Sequence, residues 1–215
     1  MSAQLTFYTH PMSRGRVVRW MLEETGLPYD TVLLEYGTTM KAPEYRTINP
    51  MGKVPALKHG DTVVTEVAAI CLYLADLVPE KKLAPPVSSF ERGSYYRWIS
   101  FMAPLEQLMM AKASGGNLPK PESAGFGTEQ DLLDTLEAAL KDRVYLVGNT
   151  FTAADLLVAA YVGWYLQFQL LEPRPAFIAF AEAHSQRPAR LRADDIDSAL
   201  LAQSQTGEQA GENDI

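Results

Sequence analysis

Apolar and polar positions along the first 78 residues change period repeatedly. Leu5–His10 is a short β-rich run halted by Pro11, and Ser13–Thr25 follows at helical spacing with Val17, Trp20, Met21 and Glu24 on one side. Gly26 and Pro28 then form a helix stop. Tyr29–Glu35 is a second strand-like run, so strand, helix and strand imply a parallel βαβ unit. Residues 37–53 are loop-like or weakly helical. Val54–Lys58 and Thr62–Thr65 flank His59-Gly60-Asp61 and predict a hairpin, which makes the sheet mixed. From Glu66 the period is helical again, with Val67, Ile70, Cys71, Leu74, Leu77 and Val78 on one face and a stop at Pro79.

Downstream the alternation of strands disappears. Pro79–Ser89, with Pro85-Pro86, has linker composition. Helical stretches follow at about 89–112, 129–143, 153–171 and 174–186, with a Gly/Pro/Ser-rich connection over 114–127. The chain therefore reads as a mixed four-stranded α/β domain at 1–79, a linker at 80–89 and an all-α helical bundle domain at 90–200. Residues 201–215, polar and without aromatics, are expected to form a disordered acidic tail.

Composition narrows the partners. Of 215 residues 47% are hydrophobic and 21% charged, the balance of a globular chain. Net charge is −7, from 19 basic and 26 acidic residues, but six of the acids lie in 194–215, where there is no Lys or Arg. The remainder is almost neutral, and Arg14, Arg16 and Arg19 form a basic cluster within it. Neither nucleic acid nor an anionic membrane surface is expected as a partner. The single cysteine, Cys71, excludes an intramolecular disulfide and a CxxC pair, and it lies on the apolar side of its helix. That usage suits a reducing compartment, and no leader or membrane span is visible, so a cytoplasmic protein is expected. His10, His59 and His184 share no metal-ligand spacing, so no metal site is expected.

Candidate chemistry gathers around Asn49-Pro50-Met51-Gly52-Lys53-Val54-Pro55-Ala56-Leu57 and Thr65-Glu66-Val67. Pro55 cannot donate to a ladder, so Val54-Pro55 belongs at a strand start or edge, with its peptide isomer open. The unpaired Val54 amide and carbonyl would suit an extended ligand; a plain strand start is the alternative. Phe151-Thr152-Ala153-Ala154-Asp155, before the apolar run Leu156–Trp164, has capping-box spacing, with Thr152 and Asp155 capping each other's amides.

Together, Asn49–Leu57, Glu66 opening a helix, the capping box and the two-domain order resemble the cytosolic glutathione transferases, over roughly residues 4–192. The resemblance implies a thioredoxin-like first domain that binds glutathione, a helical second domain that forms much of an electrophile pocket, a cis Val54-Pro55 peptide and a homodimer. It implies no tightly bound cofactor, with glutathione as co-substrate and a small apolar electrophile as the second partner.

Each part of glutathione asks for a different complement. Glu66 at a helix N-terminus offers a carboxylate to the γ-glutamyl ammonium, while the Glu66 and Val67 amides meet its α-carboxylate; simple compensation of the helix dipole is the other reading. The family usually has Ser where this chain has Val67, which removes a hydroxyl and about 1–3 kcal/mol if the group is buried. Lys53 is the candidate for the glycine carboxylate, with a solvated loop lysine as its alternative. Thiolate formation calls for a hydroxyl donor at the positive end of a helix. Ser13, the expected N-cap of the first helix, matches the Ser or Cys of many bacterial and theta-like members; plain capping is the alternative. Tyr8 resembles the tyrosine other members use, with one residue inserted before the following Pro, Arg and Gly. Strand alternation lets only one of Phe7 and Tyr8 face the site. Arg14 and Arg16 offer electrostatic support to a thiolate. Met12, Phe101, Met102, Leu105 and Met109 are candidates for the electrophile pocket, with a core role as the alternative.

The expected function is transfer of glutathione to a hydrophobic electrophile. The alternatives are a non-catalytic ligand- or partner-binding protein of the same fold and a glutathione-dependent thiol-disulfide reductase.

Overall fold

A computed structural model describes residues 4–115 and 117–212. The chain divides into two units, one formed by residues up to Leu77 with Arg187 onward, the other by Val78–Gln186.

The first unit is built on a four-stranded sheet. Leu5–Thr9 (β1) leads to Gly15–Thr25 (α1), Tyr29–Leu33 (β2), a short Pro43–Arg46 helix (α2), the hairpin Ala56–His59 (β3) and Thr62–Thr65 (β4), then Val67–Leu77 (α3). The strand order is β2-β1-β3-β4. β1 runs parallel to β2 and antiparallel to β3, so the sheet is mixed as the sequence pattern predicts. Alternation along β1 sends Leu5, Phe7 and Thr9 into the core, while Tyr8 turns to the opposite side. There it packs with Val32, Leu34, Met40, Tyr45, Val54 and Ala56. Gly26, in the left-handed conformation, closes α1 with its amide on the Leu22 carbonyl.

The final helix, Pro188–Glu212 (α9), corrects the sequence reading twice. It is helical where a disordered tail is expected from 201, and it joins the first unit, packing on α1, instead of the second domain. Residues 213–215 of that expected tail lie outside the described residues. Ion pairs explain the docking. Arg16 meets Asp194 at 3.0 Å, Arg19 meets Asp197 at 2.7 Å and Arg187 meets Glu24 at 2.7 Å. Arg192 meets Glu23 at 3.0 Å, and the Arg190 guanidinium lies over the Trp20 ring.

The second unit is helical: Glu91–Ser100 (α4), Met102–Ala113 (α5), Glu129–Leu140 (α6), Ala153–Gln167 (α7) and Pro175–Ser185 (α8). The single helix expected over 89–112 breaks at Phe101. Pro104 has no amide to return to the Ser100 carbonyl, so the ladder is interrupted there. The capping box of α7 forms. The Asp155 carboxylate accepts the Thr152 amide and hydroxyl, both at 2.8 Å, and the Leu146 amide at 2.6 Å. His184 is buried among the Tyr145, Phe151 and Phe180 rings with Nε2 on the Val144 carbonyl. Among the described residues no helix is long and apolar enough to cross a membrane, and no three His, Cys, Asp or Glu side chains cluster to hold a metal.

Candidate active site

The turn from β1 into α1 carries Ser13. Helix α1 starts at Gly15, so Ser13 lies two residues ahead of it instead of at its N-cap. Its hydroxyl oxygen nevertheless accepts the Gly15 amide at 2.9 Å, satisfying one of the free donors at the helix start. The same hydroxyl donates to the His10 carbonyl at 2.6 Å. The Ser13 side chain is thus held at the positive end of α1 and polarised by an N–H donor. Glycine is required at 15: a Cβ there would sit 2.0 Å from Thr9 Oγ1 and 2.9 Å from Ser13 Oγ.

The loop before β3 is folded by residues the sequence reading leaves without a role. Buried Asn49 donates through Nδ2 to the Lys53 carbonyl at 2.8 Å and accepts the Met51 amide at 3.1 Å. Tyr45 Oη also donates to the Lys53 carbonyl at 2.6 Å, and Lys41 Nζ reaches the Gly52 carbonyl at 2.6 Å. Gly52 has φ +56°, and a Cβ would lie 2.8 Å from the Met40 carbonyl. This framework delivers the Val54-Pro55 peptide in the cis form immediately ahead of β3. The Val54 backbone N–H and C=O hydrogen-bond to none of the described residues. The Lys53 side chain is exposed.

Across the hairpin, Glu66 is exposed and holds φ +69°, a left-handed conformation for a residue with a side chain. Such a position costs of order 1–3 kcal/mol. It directs Glu66 just outside α3, whose first amides, starting at Val67, have no intrahelical acceptor.

The other expected site residues have their own surroundings. Tyr8 is half-buried in its cluster, its ring 5.6 Å from Tyr45. Arg16 is paired with Asp194, so its charge is balanced by α9 instead of standing free for a thiolate. Arg19, fully buried, stacks over the Phe7 ring and pairs with Asp197. Arg14 is half-buried at the start of α1. Of the electrophile-pocket candidates, Met102, Leu105 and Met109 are buried in the core, because helical spacing points all three to the packed side of α5. Phe101 is partly exposed, edge-on to Trp98, and Met12 is 56% exposed in the first unit. Cys71 is fully buried, which pushes its thiol well above the usual range and leaves it unreactive.

The family description "Glutathione S-transferase, N-terminal domain" matches residues 12–77, and "Glutathione S-transferase, C-terminal domain" matches residues 109–188. The chain is 31% identical over 148 residues to Glutathione S-transferase GstA of Escherichia coli O157:H7, covering 67% of this chain and 74% of that protein. It is 30% identical over 203 residues to Glutathione S-transferase 3 of Zea mays, covering 87% and 91%. Among solved structures, a glutathione transferase from Methylococcus capsulatus superposes with a TM-score of 0.76 at 28% identity, covering 91% of this chain and 99% of the other. URE2P8 of Phanerochaete chrysosporium, solved with oxidized glutathione, gives 0.73 at 26%, covering 94% and 98%. With both domain families matched in order and relatives similar along most of their length, the chain belongs to the glutathione transferase family.

Proposed function

We propose that this protein binds glutathione in its first unit and stabilises the thiolate with the Ser13 hydroxyl for attack on an apolar electrophile. The observation that carries the reading is the Ser13 turn. Its oxygen already takes the Gly15 amide, so the hydroxyl is a strengthened donor, and turning its hydrogen from the His10 carbonyl to a sulfur keeps that amide in place. The negative charge of the thiolate is then met by a donor fixed before substrate arrives.

The remaining groups complement the rest of the tripeptide. The unpaired Val54 backbone suits the cysteinyl peptide, Glu66 and the first amides of α3 suit the γ-glutamyl end, and Lys53 suits the glycine carboxylate. Tyr8 is the weaker candidate for the thiol because its ring is committed to the cluster with Tyr45 and Met40. A cytoplasmic homodimer with glutathione as co-substrate and no bound cofactor completes the proposal.

Val67 favours one rival, a glutathione- or partner-binding protein without transferase activity, since it takes a hydroxyl away from the α-carboxylate. The two separate in one assay. With an arylating electrophile, Ser13→Ala is expected to lose most of kcat while Tyr8→Phe keeps it. Loss confined to Tyr8→Phe transfers the role to Tyr8, and saturable glutathione binding by an inactive wild type selects the binding protein.

A further inference from the structure

The turn that carries Ser13 is organised by a residue to which the proposed chemistry gives no part. The His10 ring accepts the Met12 amide at Nδ1, at 3.0 Å. An amide has only a proton to give, so Nδ1 is bare and the ring proton resides on Nε2. Nε2 faces Glu35 Oε2 at 3.4 Å. The His10 carbonyl takes the Ser13 hydroxyl. From the segment after β2, Tyr36 lays its ring 4.5 Å from the imidazole and donates its hydroxyl to the Met12 carbonyl at 3.1 Å. One residue therefore fixes both ends of the 10–13 turn, through its ring and through its backbone.

Resting on the Ser13 reading above, we propose that His10 is a positioning residue for Ser13: its neutral ring holds the turn closed, and its protonation releases the turn and weakens thiolate stabilisation.

The chemistry follows from one proton. Protonation places an N–H on Nδ1 directly opposite the Met12 N–H, and two donors cannot share that contact. The Met12 amide loses its acceptor, and the segment that fixes Ser13 Oγ loosens. The titratable groups facing the ring are Glu35 and Tyr36; Arg14 is the next charged group along the chain.

The test combines pH profiles with spectroscopy on the full chain. kcat/KM for glutathione with an arylating electrophile is measured against pH for wild type, His10→Ala and His10→Asn. The Asn side-chain carbonyl still accepts the Met12 amide, so His10→Asn is expected to recover what His10→Ala loses. The ratio of wild type to His10→Asn should fall about three- to tenfold, the worth of one hydrogen bond, as acidification protonates the ring. In wild-type NMR, the Met12 amide resonance should titrate together with the His10 ring nitrogens. An acid limb unchanged in His10→Asn, or a Met12 amide indifferent to the ring titration, overturns the proposal. A wild type that neither binds nor turns over glutathione overturns the functional reading instead, and the NMR titration still decides whether His10 holds the turn.

Discussion

Arg19 Nε and Asp197 Oδ1 meet at 2.7 Å with both side chains 1% exposed, joining α1 to α9 by an ion pair removed from water. Arg19 also donates to Tyr29 Oη and Thr31 Oγ1, both at 3.3 Å, while its Nη2 and Asp197 Oδ2 have no hydrogen-bond partner among the described residues. Two charges taken from water and incompletely paired add little net stability together, but either one alone is costly. Asp197→Asn is expected to destabilise the protein by about 3–5 kcal/mol in denaturant unfolding, whereas a joint Arg19→Met, Asp197→Leu replacement costs far less. Equal losses in the single and double variants would show that the pair does not act as a unit.

Glu66 separates stability from binding. Its left-handed backbone is strained with a side chain present and relaxed with glycine. Glu66→Gly is therefore expected to leave stability unchanged or raise it by up to about 1 kcal/mol, while weakening glutathione binding measured by calorimetry. A variant that loses stability and keeps its affinity would mean that Glu66 serves the fold.

Asp155 makes the second unit sensitive to pH. Burial pushes its carboxyl up to about 6, outweighing the hydrogen bonds from Leu146 and Thr152 that pull it down. A carboxyl that holds its proton more tightly when folded contributes stability that is fully present below the ordinary value near 3.8 and is lost as pH rises through about 6. Relative to Asp155→Asn, which does not titrate, the wild type should lose roughly 2–3 kcal/mol of unfolding free energy between pH about 4 and about 7. A difference independent of pH would contradict this.

The fold was legible where burial follows an apolar period. β1, α1, the hairpin and α3 have such periods, and Val54-Pro55 marks its own bend. Helix α9 was hidden because its buried stripe is Ala189, Ala193 and Asp197, which gives no hydrophobic signal. For the same reason Arg16 and Arg19 looked like a free basic cluster, since their partners Asp194 and Asp197 lie 178 residues away. Ser13, Glu66 and the Asn49–Pro55 loop stood out through their neighbours in the chain. His10, Lys41 and Tyr45 did not, because their contacts form only once the turns close.

The pKa of the bound glutathione thiol, read from thiolate absorbance, tests the central claim most directly. A fixed donor and the start of α1 should hold that pKa below the ordinary thiol value near about 8.5 in wild type, and Ser13→Ala should raise it toward that value. A thiol pKa unchanged by Ser13→Ala would contradict the account.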